Sequence, residues 1–205
     1  TIRFSNPPVN AMSPGLPGAL MQAVENALQH GANAILLVPG GTGVLAGADI
    51  SMQGKAWPDG EPLMSDLIAA LDACPVSTAI WVRGSALGGA LACRWRLAAP
   101  GTKLGQPEVN LGIPPGAGGT QRLPRVIGAK AALDMIVTGK SVTAEQAYQT
   151  GLIDAVVAEE EDAPRCVGRR NLRPPHPQRV EAHFDPVQTM RLGRGMDEQQ
   201  LLVGN

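Results

Sequence analysis

Apolar residues fall into two kinds of run along this chain, and their alternation sets the reading of its fold. The first kind is short and continuous. Ala34 to Val38 (AILLV) and Val76 to Val82 (VSTAIWV) carry apolar or small side chains at successive positions. Runs of that sort predict strands covered on both faces, as in a parallel sheet. The second kind is spaced. Leu16, Leu20, Val24, Ala27 and Leu28 recur at helical intervals between Ser13-Pro14 and Gly31. Ser13-Pro14 reads as an N-cap followed by a first-turn proline, and Gly31 as the stop. Leu63, Leu67, Ile68 and Leu71 predict a second amphipathic helix, halted at Cys74-Pro75.

Shorter signals fill in the rest. Ile2 to Phe4 reads as a strand ahead of Asn6-Pro7-Pro8, and Arg94 to Ala98 as another. Gly54 to Glu61 is punctuated by glycine and proline and predicts a surface loop. Thr120 to Ile127 and Lys130 to Val137 predict helices separated by Gly128. Thr143 with Gln146 forms a capping box for a helix that Gly151 ends, and Ile153 to Val157 reads as a last strand. Strands alternating with helices imply an α/β layout. No clean internal repeat is visible, although strand, glycine loop and helix recur twice.

Composition changes after Val157, so the chain divides into a core over 1–158 and an atypical region over 159–205. The acidic run Glu159 to Asp162 leads into a tail with seven of the seventeen Lys/Arg residues, all arginine, and with Pro174, Pro175 and Pro177. No regular structure is predicted there before about Pro186, with helix expected only beyond it. Phe184 is the one aromatic in that tail, so it reads as a solvated arm and not as a nucleic-acid patch.

With 205 residues the chain has the size of one domain, and a formal charge of −1 gives no reason to expect a nucleic-acid or membrane partner. Apolar residues make up 44% but aromatics only 3%, so aliphatic side chains must fill the core. No apolar run approaches the ~20 residues of a membrane span. Cys74, Cys93 and Cys166 are odd in number and lack CxxC spacing, which suits a reducing compartment, the cytoplasm or an organelle matrix. His30, His176 and His183 have no ligand-like spacing, and no metal is expected. The chain starts at Thr1 without an initiator methionine, so that end is expected to be processed, trimmed or incomplete.

The densest chemistry lies between Gly84 and Arg125. A Gly-Gly turn precedes a short predicted helix, a lone glutamate follows Gln106-Pro107, and a proline–glycine turn opens another helix. Amides at a helix N-terminus beside an isolated carboxylate suit chemistry that builds negative charge on a carbonyl oxygen. Taken alone, Glu108 would more often be a surface carboxylate, and the Gly88-Gly89 pair a simple turn.

Three segments together resemble the enoyl-CoA hydratase/isomerase (crotonase) family. They are Ala46-Gly47-Ala48-Asp49-Ile50, Gly84-Ser85-Ala86-Leu87-Gly88-Gly89, and Gly105-Gln106-Pro107-Glu108 through Leu111-Gly112 to Pro115-Gly116-Ala117-Gly118-Gly119-Thr120-Gln121-Arg122-Leu123. The match extends from Asn6-Pro7-Pro8-Val9-Asn10-Ala11 to Asp154, about the first three-quarters of the chain. The resemblance implies a crotonase-like superhelix of ββα turns. It implies an oxyanion hole from the N–H groups of Ala48 and Gly89, with Glu108 as acid/base. Ala46, Asp49, Ile50, Leu87, Gly88, Pro107, Leu111 and Gly116 would line the substrate. The implied substrate is an acyl-CoA thioester of fatty-acid β-oxidation, with coenzyme A as part of the substrate, no separate cofactor, and a homotrimer or hexamer as the assembly. Small residues at 88 and 89 would let the thioester approach the backbone.

The family also carries a longer helix after its glycine pair, with a second catalytic glutamate. Here about four residues, roughly one helical turn, are absent. No Asp or Glu occurs between Asp72 and Glu108. Hydration uses two carboxylates in the family, whereas moving a double bond needs one base. The alternatives are therefore a hydratase/isomerase, an isomerase alone, or a crotonase-fold protein that binds acyl-CoA without catalysis. Ser51 stands where the family has a basic residue, with Lys55 a substitute, and Asp49 could cap its own loop instead of touching CoA. A rival class remains: Gly41-Thr42-Gly43-Val44-Leu45-Ala46 fits the GxGxxG/A dinucleotide pattern, although Pro39-Gly40 and Gly47-Ala48-Asp49 are poor flanks for the helix it needs.

Overall fold

In the computed structural model, which describes residues 1–41, 43–86, 88–166 and 202–203, the two continuous apolar runs become adjacent strands at the middle of the main sheet. The chain begins with β1 (Ile2–Phe4), β2 (Ala11–Met12) and α1 (Leu16–Gln29), then β3 (Ala34–Pro39), β4 (Gly47–Ala48) and α2 (Met64–Asp72). Next come β5 (Ser77–Val82), β6 (Ser85–Ala86), a 3₁₀ turn over Gly88–Ala92, β7 (Trp95–Ala98) and β8 (Lys103–Leu104). A second 3₁₀ turn, Pro107–Leu111, leads to α3 (Gly119–Ile127) and α4 (Ala129–Thr138). Then follow β9 (Val142–Thr143), α5 (Ala144–Thr150), β10 (Ala155–Val156), α6 (Ala163–Cys166) and β11 (Leu202–Val203).

The main sheet has the order β10-β7-β5-β3-β1-β11, parallel throughout except where β11 pairs antiparallel with β1. Successive side chains on a strand point to opposite faces, and both faces here are dry. Ile35, Leu37, Ile80 and Val82 join the larger core cluster with Leu16, Leu20 and Val24 of α1 and Leu67 and Leu71 of α2. Their neighbours Leu36, Val38, Ala79 and Trp81 join a second cluster with Trp95, Leu97, Val157 and Ala163. That double cover is why β3 reads as an unbroken apolar run and β5 as a run of small and apolar residues in which even Ser77 and Thr78 are buried. Among the described residues, no helix is long and apolar enough to cross a membrane.

A repeat hidden in the sequence is plain in the topology. Each turn supplies one strand to the main sheet and one short strand to a smaller ladder: β1 and β2, β3 and β4, β5 and β6, β7 and β8. The first two turns close with a full helix, α1 and α2. The third closes with the five-residue turn Gly88–Ala92, not with the short helix expected there. Trp95 already belongs to β7, so too little chain remains for an α-helix with its caps.

Two boundaries differ from expectation. Helix α1 has Gly15, not Ser13, at its N-cap, because the Ser13 hydroxyl donates to Asp49 Oδ2 at 2.7 Å. The last strand shrinks to two residues, because Leu152 and Asp154 turn to meet Arg96 of β7. Arg96 Nε donates to Leu152 O at 2.6 Å, and its backbone N–H to Asp154 Oδ2 at 2.7 Å. The guanidinium lies 3.6 Å from the same carboxylate in a pair that is about 95% buried on both sides. Burial outweighs the attraction. It lowers the Arg96 pKa and raises that of Asp154 to about 6. The capping box of α5 forms as read, with Gln146 N–H donating to Thr143 Oγ1 at 3.3 Å. Beyond the core segments, Arg3 forms an ion pair with Glu160.

Candidate active site

Three short stretches of chain run side by side in the same direction near the middle of the molecule. Leu45 forms a parallel bridge to Ala86, with Leu45 N–H donating to Ser85 O at 2.9 Å. Ala86 in turn pairs in parallel with Leu104, and Gly105 N–H donates to Ala86 O at 3.2 Å. From the carboxyl ends of these three stretches depart residues 46–50, 88–92 and 107–111, the three segments singled out in the sequence. Ligands in open α/β sheets commonly sit outside the carboxyl ends of strands, and a cleft of about 1200 Å³ lies there.

The structure brings most of the expected site residues to the wall of this cleft. Ala46, Ala48, Asp49 and Ile50 line it from the first segment, Gly88 from the second, and Pro107, Glu108 and Leu111 from the third, with Gly116 beyond. Gly89 is the next residue of the same turn as Gly88. Leu87 lies outside the described residues. The parallel register carries a further consequence. Ala48 and Gly89 each stand three residues beyond the bridged pair Leu45 and Ala86, and Glu108 four beyond Leu104.

Each segment has a local reason for its shape. Ala46–Ala48 is flanked by β2, with Met12 opposite Ala48, and Ala46 N–H donates to Val9 O at 3.1 Å. Asp49 caps the 3₁₀ turn Ile50–Met52: its Oδ1 accepts from Ser51 N at 2.9 Å, and its Oδ2 from Ser13 Oγ. Hydrogen bonds from Ser13 and Ser51 hold this carboxyl below the ordinary carboxylate range. The two serines thus take both Asp49 oxygens, so the loop-capping reading applies. Glycine at 88 also has a cause other than substrate approach. A Cβ there would come within 3.1 Å of both terminal atoms of the Gln106 amide, a side chain only 1% exposed. The same amide underlies Gly119, where a Cβ would lie 2.9 Å from Gln106 Oε1.

The three carboxylates that line the cleft differ in commitment. Asp49 is engaged by Ser13 and Ser51. Asp72, at the end of α2, pairs with Arg122 of α3, whose Nη1 donates to Asp72 Oδ1 at 3.2 Å. Glu108 alone keeps an oxygen, Oε2, that is buried and has no hydrogen-bond partner among the described residues. A buried carboxylate oxygen without a donor is costly unless it serves a ligand or a moving proton.

Sequence reading missed the Asp72–Arg122 pair, since partners fifty residues apart leave no local trace. It also missed that α2 has two working faces. Met64 and Ile68, four residues apart, face the cleft, and Trp57 and Leu63 lie at its edge. The helical spacing of Met64 and Ile68 was the available signal. Lys55, the suggested stand-in for a basic CoA contact, is exposed and does not line the cleft. The dinucleotide alternative fails on connectivity. After β3 the glycine-rich loop runs into the Leu45 bridge and β4, so no helix N-terminus is presented to a pyrophosphate.

Comparison with known proteins identifies the family and the fold. A family model described as Enoyl-CoA hydratase/isomerase matches residues 1–169. The peroxisomal bifunctional enzyme of Danio rerio is 40% identical over 163 residues, which are 77% of this chain and 22% of that protein. The glyoxysomal fatty acid beta-oxidation multifunctional protein MFP-a of Brassica napus is 41% identical over 175 residues, covering 78% of this chain and 24% of that one. The chain therefore spans under a quarter of the length of these relatives. Among solved structures, an enoyl-CoA hydratase subunit from Geobacillus kaustophilus superimposes with a TM-score of 0.65 at 34% identity, over 72% of this chain and 60% of the other. An enoyl-CoA hydratase from Bacillus anthracis gives 0.62 at 32% identity, over 76% and 65%. The α/β layout with its parallel sheet is the crotonase fold.

Proposed function

The chain belongs to the enoyl-CoA hydratase/isomerase family, and from that premise we propose that it acts on enoyl-CoA thioesters of fatty-acid β-oxidation in the cleft between residues 46–50, 88–92 and 107–111. In this reading the N–H groups of Ala48 and Gly89 hold the thioester oxygen, and Glu108 moves the proton. The matched steps of Leu45–Ala48 and Ala86–Gly89 along parallel stretches support the pairing of the two donors. Removing one such donor commonly costs ~3–4 kcal/mol of barrier. Ile50, Leu63 and Leu111, three large apolar side chains exposed by 62%, 46% and 51%, line the cleft and would meet the acyl and pantetheine chains.

The observation that carries the proposal is the buried, unpartnered Oε2 of Glu108 on the wall shared with Ala48 and Gly88. It also favours one reaction over the other. Adding water across the double bond calls for two free carboxylates, and Asp49 and Asp72 are both committed elsewhere. Isomerisation needs one. Glu108 takes a proton from C2 of a 3-enoyl thioester, and the electron pair spreads onto the carbonyl oxygen between the two amides. The same carboxyl then returns the proton to C4, leaving the 2-enoyl thioester with atoms and charge in balance. No disulfide joins Cys74, Cys93 or Cys166 among the described residues, which fits a reducing compartment, and the relatives are named as peroxisomal and glyoxysomal. A homotrimer or hexamer belongs to the same proposal, and the mass in solution tests it.

The test is optical. A 3-enoyl-CoA should gain conjugated-thioester absorbance in the presence of the protein, while a trans-2-enoyl-CoA should keep its own. Glu108→Gln should reduce the first signal at least 100-fold, a scale typical of losing a general acid/base. Loss of 2-enoyl absorbance would show hydration instead, and turnover unchanged by Glu108→Gln would remove Glu108 from the chemistry. Binding of a CoA thioester with neither activity would favour the purely binding alternative.

A further inference from the structure

Ala48 is exposed, so its own side chain is not anchored in the core. Its position is tied to the N-terminal bend, where one buried side chain makes three hydrogen bonds. Asn10 is 2% exposed and adopts φ 52°, in the left-handed region that asparagine enters more readily than most residues. Its Oδ1 accepts from Asn6 N–H at 2.8 Å, and its own N–H donates to Asn6 O at 2.7 Å. Its Nδ2 donates to Gly40 O at 3.1 Å and to Val44 O at 2.7 Å. All the donor capacity of one amide is therefore used to clamp both ends of the loop that leads from β3 to Leu45.

The hydrogen bonds continue from there to the cleft. Asn6 Nδ2 donates to Ala11 O at 2.7 Å and to Ser13 Oγ at 3.0 Å, and Ser13 Oγ donates to Asp49 Oδ2 at 2.7 Å. Between these anchors β2 lies against β4, with Ala11 opposite Gly47 and Met12 opposite Ala48. Ala48 is thus bracketed on one side by a loop that Asn10 pins and on the other by a residue, Asp49, tied back to Asn6 through Ser13.

We infer that Asn10 is a positioning residue for the reaction, setting the direction of the Ala48 N–H through the Asn6–Ser13–Asp49 chain. The inference rests on the proposed role of Ala48 as a donor to the thioester oxygen. Asn10 is buried and does not line the cleft, so its loss should alter the polarisation of a bound thioester more than its binding.

Asn10→Gly is the informative variant, because glycine accepts the left-handed conformation while losing every side-chain bond. Two readouts are needed: isomerisation of a 3-enoyl-CoA, and the absorption maximum of a bound aryl-conjugated enoyl-CoA, which moves to the red as its carbonyl is polarised. The expected result is a fall in kcat of tenfold or more, KM within about threefold, and most of the red shift lost, with the thermal unfolding transition still cooperative. A folded Asn10→Gly that keeps the full red shift and kcat overturns the inference. Where Asn10→Gly does not fold, Ser13→Ala decides. It removes the bonds that Ser13 Oγ makes to Asn6 and to Asp49 and leaves those of Asn10 itself in place, and a partial loss of the red shift supports the inference while an unchanged shift overturns it. A parent protein that binds the thioester without any red shift overturns the proposed oxyanion site itself, a separate failure from that of Asn10.

Discussion

The first and second cleft segments, residues 46–50 and 88–92, are held by different physics. The first is open to solvent: Ala48 is exposed, Ile50 is 62% exposed, and hydrogen bonds from Ser13, Ser51 and the Asn10 clamp fix its course. The second is dry. Ala90 and Ala92 are 5% exposed, Cys93 is 3% exposed, and Gly88 rests on the Gln106 amide. Burial pushes the Cys93 thiol up to about 12, a measure of how little solvent reaches the end of that turn. A segment held by a few part-buried or exposed hydrogen bonds can be loosened without unfolding the protein, whereas one built into the core cannot. Breaking the second segment should therefore show in global stability, and breaking the first should show mainly in activity.

The largest effect is expected at Arg96, which closes the far end of the second segment. Its guanidinium reaches Cys93 O at 3.4 Å as well as Leu152 O and Asp154. Arg96→Met would leave the Asp154 carboxyl buried without its cation, a change that typically costs ~3–5 kcal/mol. The urea midpoint measures it, and a drop no larger than that of a surface substitution would remove this pair from the support of the second segment.

The next effect is a pH dependence with an unusual sign. Asp154 has a folded pKa of about 6, above its unfolded value of 3.8, so the folded state binds the extra proton between those limits. Stability from this group is greatest below pH 4, falls as pH rises to about 6, and is flat above, a change on the order of 2–3 kcal/mol. Asp49 has the opposite sign. Its lowered pKa adds stability above its ordinary value, and that contribution disappears as pH falls through the folded pKa. Unfolding curves of the parent and of Asp154→Asn between pH 4 and 7 should diverge in slope. Parallel curves would show that Asp154 titrates normally.

Gly88→Ala comes third. The added Cβ would sit 3.1 Å from the Gln106 amide, and overpacking of that kind typically costs ~1–3 kcal/mol. The double variant with Gln106→Ala should recover part of that loss. Purely additive losses in the double-mutant cycle would show that the amide is not what the new methyl group meets.

How much of this was legible beforehand depends on the range over which each feature is encoded. The capping box at Thr143 and Gln146, the stop at Gly151 and the unbroken runs of β3 and β5 are local, and they appear where the residues put them. The cleft segments 46–50, 88–92 and 107–111 were legible only through likeness to a family, because glycine loops have no periodicity to read. Their meeting depends on the bridge from Leu45 to Ala86 and the pairing of Ala86 with Leu104, contacts between residues far apart in the chain. The same distance hid the Arg96–Asp154 and Arg122–Asp72 pairs. Ser13 shows the opposite failure. It has every local mark of a helix cap, but its hydroxyl goes to Asp49, thirty-six residues away.

The smallest change in stability is expected from Asp49→Ala. Both carboxylate oxygens are engaged, one by the exposed Ser51 N–H and one by the half-buried Ser13 hydroxyl, and such bonds contribute ~1 kcal/mol or less where water competes for the same groups. Deleting the side chain frees Ser13 Oγ to solvent and uncaps the Ile50–Met52 turn, yet it leaves the core clusters intact. The urea midpoint should therefore move far less than for Gly88→Ala, while kcat for 3-enoyl-CoA isomerisation falls further than that small loss of stability would suggest. A midpoint shift as large as that of Gly88→Ala, with turnover scaling in step, would mean that both segments are parts of one cooperative core and that the contrast between them is only one of exposure.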